Sequence, residues 1–126
     1  MPFVDSRGAR ISYADTGTGE GVLLIQGIGL IGEGWRPQVE GLRGRYRLLT
    51  LDNRGIGASE LDSKVPGEVS IEAMAGDACA VVDAAGLDRV HVVGHSMGGV
   101  IAQAVALAAP QRVRSLSLLC TFARGR

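Results

Sequence analysis

The residues with the plainest chemical potential are Gly94-His95-Ser96-Met97-Gly98-Gly99. They satisfy G-x-S-x-G, a pattern in which a serine sits on a turn so tight that only glycine fits where neighbouring chains crowd in. Such a turn lifts the Ser96 hydroxyl above the edge of a sheet and sets it at the positive end of the following helix. It also aims the Met97 N–H at an oxyanion forming beside that hydroxyl. The chemistry implied is nucleophilic attack on an acyl carbon, with Gly94 and Gly98 making room for the turn. The plainer alternative is an ordinary strand-to-helix turn with Ser96 as its N-cap.

A second glycine motif competes with the first. Gly27-Ile28-Gly29-Leu30-Ile31-Gly32 satisfies G-x-G-x-x-G directly after the run VLLIQ, and Asp52 ends the next apolar run 20 residues after Gly32. That is the form of a dinucleotide fingerprint with its ribose-binding acid. Against it, Gly32, Gly34 and Pro37 break the helix that should open inside the loop and offer its N-terminus to a pyrophosphate. A hairpin also precedes the motif, whereas the fingerprint belongs on a first strand.

The elements that must position these residues alternate in type. Phe3-Val4 and Ile11 to Ala14 read as a hairpin about Ser6-Arg7-Gly8, with Asp15 to Gly19 closing its second strand. Gly21 to Ile25, Leu48 to Leu51, Val90 to Val93 and Val113 to Leu119 are apolar runs of the kind buried on both faces by helices. Ser70 is an N-cap for a helix whose apolar side is Ile71, Met74, Ala75, Ala78, Val82 and Ala85, with Gly86 just past its end. Met97, Val100, Ile101, Ala104, Val105 and Ala108 form the same stripe in a helix stopped before Pro110. A shorter helix spans Trp35 to Leu42. Six strands alternating with helices predict an α/β fold with a mostly parallel sheet, whose sites form at the carboxyl ends of strands.

Composition narrows the possible partners. The chain has 126 residues, 13 basic against 13 acidic side chains, and 46% hydrophobic residues. That supports one domain over residues 1–126 and gives no electrostatic case for nucleic acid or an anionic membrane. The 19 glycines show no G-X-Y period, so they mark turns and close approaches. Cys79 and Cys120 make neither a disulfide framework nor a metal cluster. No apolar run is long enough to span a membrane, and the first ten residues lack the form of a secretory signal. The expectation is a cytoplasmic protein with small-molecule or protein partners.

Taken together, these motifs resemble the α/β-hydrolase fold family, and the resemblance covers essentially the whole chain. GHSMGG resembles that family's nucleophile elbow. Gln26-Gly27-Ile28-Gly29 resembles its H-G-x-G oxyanion loop, with Trp35 where many members have an aromatic residue. Asp52-Asn53-Arg54-Gly55-Ile56-Gly57-Ala58-Ser59 resembles its D-x-R-G-x-G-x-S loop. The resemblance implies that Ser96 is the nucleophile, that the backbone N–H groups of Ile28 and Met97 hold the oxyanion, and that Gly94, His95, Gly98, Gly27 and Gly29 support the elbow and loop. No cofactor is implied. Serine in place of a carboxylate argues against the dehalogenase and epoxide-hydrolase branches and for a carboxylic ester, thioester or lactone. Gln26 departs from the more usual histidine, a change expected to alter loop hydrogen bonds rather than chemistry.

A serine needs a base, and the base needs an acid. The chain has two histidines. His91 lies in a strand five residues before Ser96; at about 3.3 Å per residue that is well over a dozen ångströms from the elbow, and it reads as a core or helix-facing residue. His95 adjoins Ser96 and faces away from its hydroxyl. No acidic residue follows Asp88. The expectation is the amino-terminal half of a hydrolase core, or a chain completed by a partner; a non-catalytic ligand-binding module on the same scaffold is the other reading. The run Val113 to Leu119 should then have an exposed edge that recruits a second copy or a complementary chain. Arg36, Arg43, Arg45 and Arg47 read as a solvated or salt-bridged face. Cys79 falls on the more polar side of its helix, Cys120 could line the pocket, and the stretch from Ser59 to Gly67 reads as a mobile surface loop.

Overall fold

The computed structural model describes residues 2–123. Its strands are β1 Phe3–Ser6, β2 Ala9–Gly17, β3 Glu20–Ile25, β4 Tyr46–Leu51, β5 Glu60–Leu61, β6 Val90–His95 and β7 Val113–Leu119. Its helices are α1 Arg36–Leu42, α2 Ile71–Ala84 and α3 Met97–Ala108. The sheet runs in the order β1-β2-β4-β3-β6-β7, with β5 added to β2. The pairs β3–β4, β3–β6 and β6–β7 are parallel, while β1–β2 and β2–β4 are antiparallel.

Alternation along the strands sorts the core into two layers. Leu23, Ile25, Leu49, Leu51 and Val92 pack against Met74, Ala78 and Val81 of α2 and Ile101 and Val105 of α3. Val22, Leu24 and Leu48 face the other way, onto Trp35 and Val39. β3, covered on both faces, is apolar from Val22 to Ile25 and shows no alternation, whereas β6 alternates, with Val90 and Val92 buried and His91 and His95 half-buried.

Local chemistry accounts for most of the boundaries. The Ser70 hydroxyl accepts the Ala73 N–H at 3.1 Å and caps α2. Gly86, at φ +74°, lies just past its end. Gly32–Trp35 form only a short 3-10 turn, and α1 begins at Arg36 with Pro37 in its first turn. Two expectations need correction. β2 runs on to Gly17 instead of closing before Asp15, because its second half pairs with β4 from Tyr13↔Leu51 to Gly17↔Arg47. The stretch from Ser59 to Gly67 contains a short strand, so the described residues form seven strands and not six: Glu60 and Leu61 pair with Arg10 and Ala9, and the Asp62 and Gly67 N–H groups both donate to the Gly8 carbonyl. A two-residue strand has no periodicity to read.

β3 and β6 are neighbours, with Ile25 beside Gly94. From β3 the chain crosses to β4 on one side, and from β6 to β7 on the other. The connections that follow them therefore leave in opposite directions, which sets the two glycine motifs side by side at the switch point of the sheet.

Candidate active site

Two serines precede helices here, and they behave differently. Ser70 is extended, at φ −144°, and its side chain caps α2. Ser96 has φ +57° and ψ −121°, and its side chain makes no capping bond to α3. Positive φ in a non-glycine residue costs on the order of 1–3 kcal/mol, and it persists only where the surroundings over-determine it.

Those surroundings are backbone at close quarters. A Cβ on Gly94 would lie 2.6 Å from the Gly98 carbonyl carbon and the Gly99 Cα, and one on Gly98 would run into the Ile25 carbonyl and come within 2.7 Å of the Gln26 oxygen. From the other glycine motif, a Cβ on Gly27 would sit 3.3 Å from the Ser96 Cβ and 3.6 Å from its Oγ. The loop after β3 thus runs directly against the serine.

That loop is a tight turn. The Leu30 N–H donates to the Gly27 carbonyl at 3.3 Å and Gly29 has φ +72°, which fits a type II turn with glycine at its third position. The Ile28 side chain points to solvent, 78% exposed. Among the described residues, neither the Ile28 N–H nor the Met97 N–H donates to another protein group. A half-buried serine against which the Gly27 loop packs, with the Ile28 and Met97 amides uncommitted, can take an electrophile whose oxygen gains negative charge.

The match to the alpha/beta hydrolase fold family model spans residues 21–124. The chain belongs to that family. It is 42% identical over 124 residues to "Putative carbamate hydrolase RutD" of Azorhizobium caulinodans, an alignment covering 98% of this chain and 46% of that protein. Among solved structures it superposes on a thermophilic esterase from Thermogutta terrifontis with a TM-score of 0.89 at 32% identity, covering 99% of this chain and 47% of that one. On Est816, titled an N-acyl homoserine lactone degrading enzyme, the TM-score is 0.87 at 33% identity, covering 95% and 45%. The chain therefore spans less than half the length of the relatives it matches.

Within this hydrolase fold, the acid of the competing glycine motif is already engaged. Asp52, 8% exposed, accepts the Gly32 N–H at 2.8 Å on one carboxylate oxygen and the Ala58 N–H at 2.9 Å on the other. The carboxylate that would bind a ribose instead ties two loops together. The G-x-G-x-x-G segment leads into the 3-10 turn at Gly32 and offers no helix N-terminus, which removes the basis of the dinucleotide reading. Gln26 does similar work: its Nε2 donates to the Leu51 carbonyl at 2.8 Å and its Oε1 accepts the Trp35 Nε1–H at 3.3 Å. Gln26 thus pins the end of β3 to the end of β4.

Neither histidine reaches Ser96. His91 is half-buried at the amino end of β6, where one ring nitrogen meets the Ser115 hydroxyl and the other the Glu20 carboxylate, each at 2.7 Å. The His91 bond, followed by the charge of Arg114, holds the Glu20 carboxyl below the usual carboxylate range. His95 makes no side-chain hydrogen bond among the described residues. It lines a cavity of about 330 Å³ with Gln26, Leu30, Trp35 and Leu119, which Ser96 does not line. Leu119, and not Cys120, reaches that cavity.

The basic cluster is paired or solvated. Arg47 forks onto Asp15 at 2.8 and 2.6 Å, and Arg36 reaches Glu33 and Glu40 at 3.5 Å. Cys79 is half-buried against the core between the helices and β1, and burial pushes its thiol pKa up. Two residues with structural roles carry no sequence signal strong enough to find them. Asp77 occupies a helix position that reads as polar, yet it is fully buried and forks with Arg54. Thr121 lies just past β7, and its hydroxyl donates to the Ser96 carbonyl at 2.6 Å.

Proposed function

We propose that this chain carries the nucleophile and the oxyanion hole of a serine hydrolase acting on a carboxylic ester, thioester or lactone. The observation that carries the reading is the Ser96 backbone: a strained serine that declines to cap its helix while two uncommitted amides flank it. Ser96 Oγ attacks the acyl carbon and the carbonyl π pair moves onto oxygen, where the N–H groups of Ile28 and Met97 stabilise it. Collapse of that tetrahedral species expels the alcohol, thiol or enol and leaves an acyl-enzyme on Ser96. Water then adds to the acyl carbon, and the carboxylic acid leaves as the serine is restored.

The hydroxyl proton needs a base. His91 is bound to Glu20 and Ser115, and His95 faces a separate cavity. The base and its orienting acid are supplied from residues outside this set, by further sequence or by a partner chain. The relatives support acyl chemistry in general: their names speak of a carbamate hydrolase, an esterase and a lactone-degrading enzyme.

The test is covalent labelling by a fluorophosphonate probe, followed by peptide mass spectrometry. The expected adduct is on Ser96 and disappears in Ser96→Ala. An active protein that turns over esters with no adduct on Ser96, or one whose Ser96→Ala variant keeps its rate, overturns the reading. Ligand binding with neither labelling nor turnover favours the non-catalytic module.

A further inference from the structure

We infer that Thr121 is a positioning residue for the oxyanion donor at Met97, acting through the Ser96 carbonyl; this rests on the serine-nucleophile reading above. The end of β7 grips both peptide groups of Ser96. The Leu119 carbonyl accepts the Ser96 N–H at 3.0 Å, and the Thr121 hydroxyl donates to the Ser96 carbonyl at 2.6 Å. Between them Cys120 takes φ +50°, so the backbone turns over and brings both residues to the elbow. The same carbonyl also accepts the Gly99 N–H at 2.9 Å, in the first turn of α3.

The Ser96 carbonyl and the Met97 N–H belong to one peptide unit, which is planar, so fixing the direction of the oxygen fixes the direction of the N–H. Hydrogen bonds accepted by that oxygen also polarise the unit and strengthen its N–H as a donor. Thr121 therefore aims and sharpens the amide that would meet the oxyanion, without touching substrate.

A second observation supports the assignment. A Cβ on Gly99 would lie 2.5 Å from the Cβ, Cγ2 and Oγ1 of Thr121. The last glycine of GHSMGG is thus explained by the space it leaves for the Thr121 side chain, whereas Gly94 and Gly98 meet other backbone.

The test compares Thr121→Val, which keeps the shape and loses the donor, with Thr121→Ser, which keeps the donor. In the catalytically competent protein, with p-nitrophenyl acetate as substrate, Thr121→Val should lower kcat about tenfold with KM within about twofold. That is the size expected when one neutral hydrogen bond behind a transition-state donor is lost. Thr121→Ser should restore kcat to within about twofold. Independently of turnover, the Met97 amide resonance of the 126-residue chain should shift in Thr121→Val and return in Thr121→Ser. A Thr121→Val variant with unchanged kcat and an unmoved Met97 amide overturns the inference. If Ser96→Ala keeps the wild-type rate while the Met97 amide still responds to Thr121, the nucleophile reading fails and the clasp on the peptide stands.

Discussion

Removing the Arg54 guanidinium should unfold this domain more effectively than any surface change. Arg54 and Asp77 are 1% and 0% exposed at their side chains, and two bonds of 2.8 and 2.7 Å join them. The same guanidinium donates to the carbonyls of Glu68 at 2.8 Å and Ser6 at 3.1 Å. In Arg54→Ala the Asp77 carboxylate is left buried without its partner, and the two carbonyls lose a donor. Breaking one side of such a pair costs about 3–5 kcal/mol, a large share of the roughly 5–15 kcal/mol available to a domain. Replacing both groups, as Arg54→Met with Asp77→Leu, removes the unpaired charge and should recover about 2 kcal/mol or more of the summed single losses. Urea unfolding at pH 7, followed by far-ultraviolet circular dichroism, measures each corner of that cycle. A loss below about 1 kcal/mol for Arg54→Ala, or a double variant whose loss equals the sum of the singles, refutes the argument.

Four further outcomes follow from other parts of the molecule. Gly98→Ala should cost both stability and Ser96 labelling, because the added methyl meets the Ile25 and Gln26 carbonyls and displaces the start of α3; overpacking of this kind costs about 1–3 kcal/mol, and an unchanged melting temperature would contradict it. Glu20 has a depressed pKa in the folded state, caused first by the His91 bond. Its stabilisation is therefore full above the ordinary carboxylate pKa and lost as pH falls through the depressed value, so the gap in urea midpoint between wild type and Glu20→Gln should close in acid and persist at neutral pH. In peptide mass spectrometry after iodoacetamide treatment, the exposed Cys120 should be alkylated well before Cys79, whose thiolate is disfavoured by burial; equal rates in the native protein would refute this. Among the described residues β7 lies at one end of the sheet, with Leu116 38% and Leu118 41% exposed. We propose that its edge pairs with another strand, so the 126-residue chain should sediment as an assembly at micromolar concentration, and a clean monomer contradicts it.

Much of this protein follows from short-range rules. The N-cap at Ser70, the glycine past α2 and the stop before Pro110 depend on sterics and hydrogen bonds within a few residues, so their residue types announce them. The two-faced burial of β3 is likewise written in the unbroken apolar run Val22 to Ile25. Other features needed the folded chain. Asp77 lies buried only because Arg54, 23 residues earlier, arrives beside it. Asp52, which fits a ribose-binding role by spacing alone, is consumed by amides from two loops. Thr121 reaches the Ser96 carbonyl from a neighbouring strand, and β5 exists only because β2 offers it an edge. A local conformation depends on the residues that adopt it, whereas a polar side chain's role depends on which distant partner the sheet order brings within about 3 Å of it.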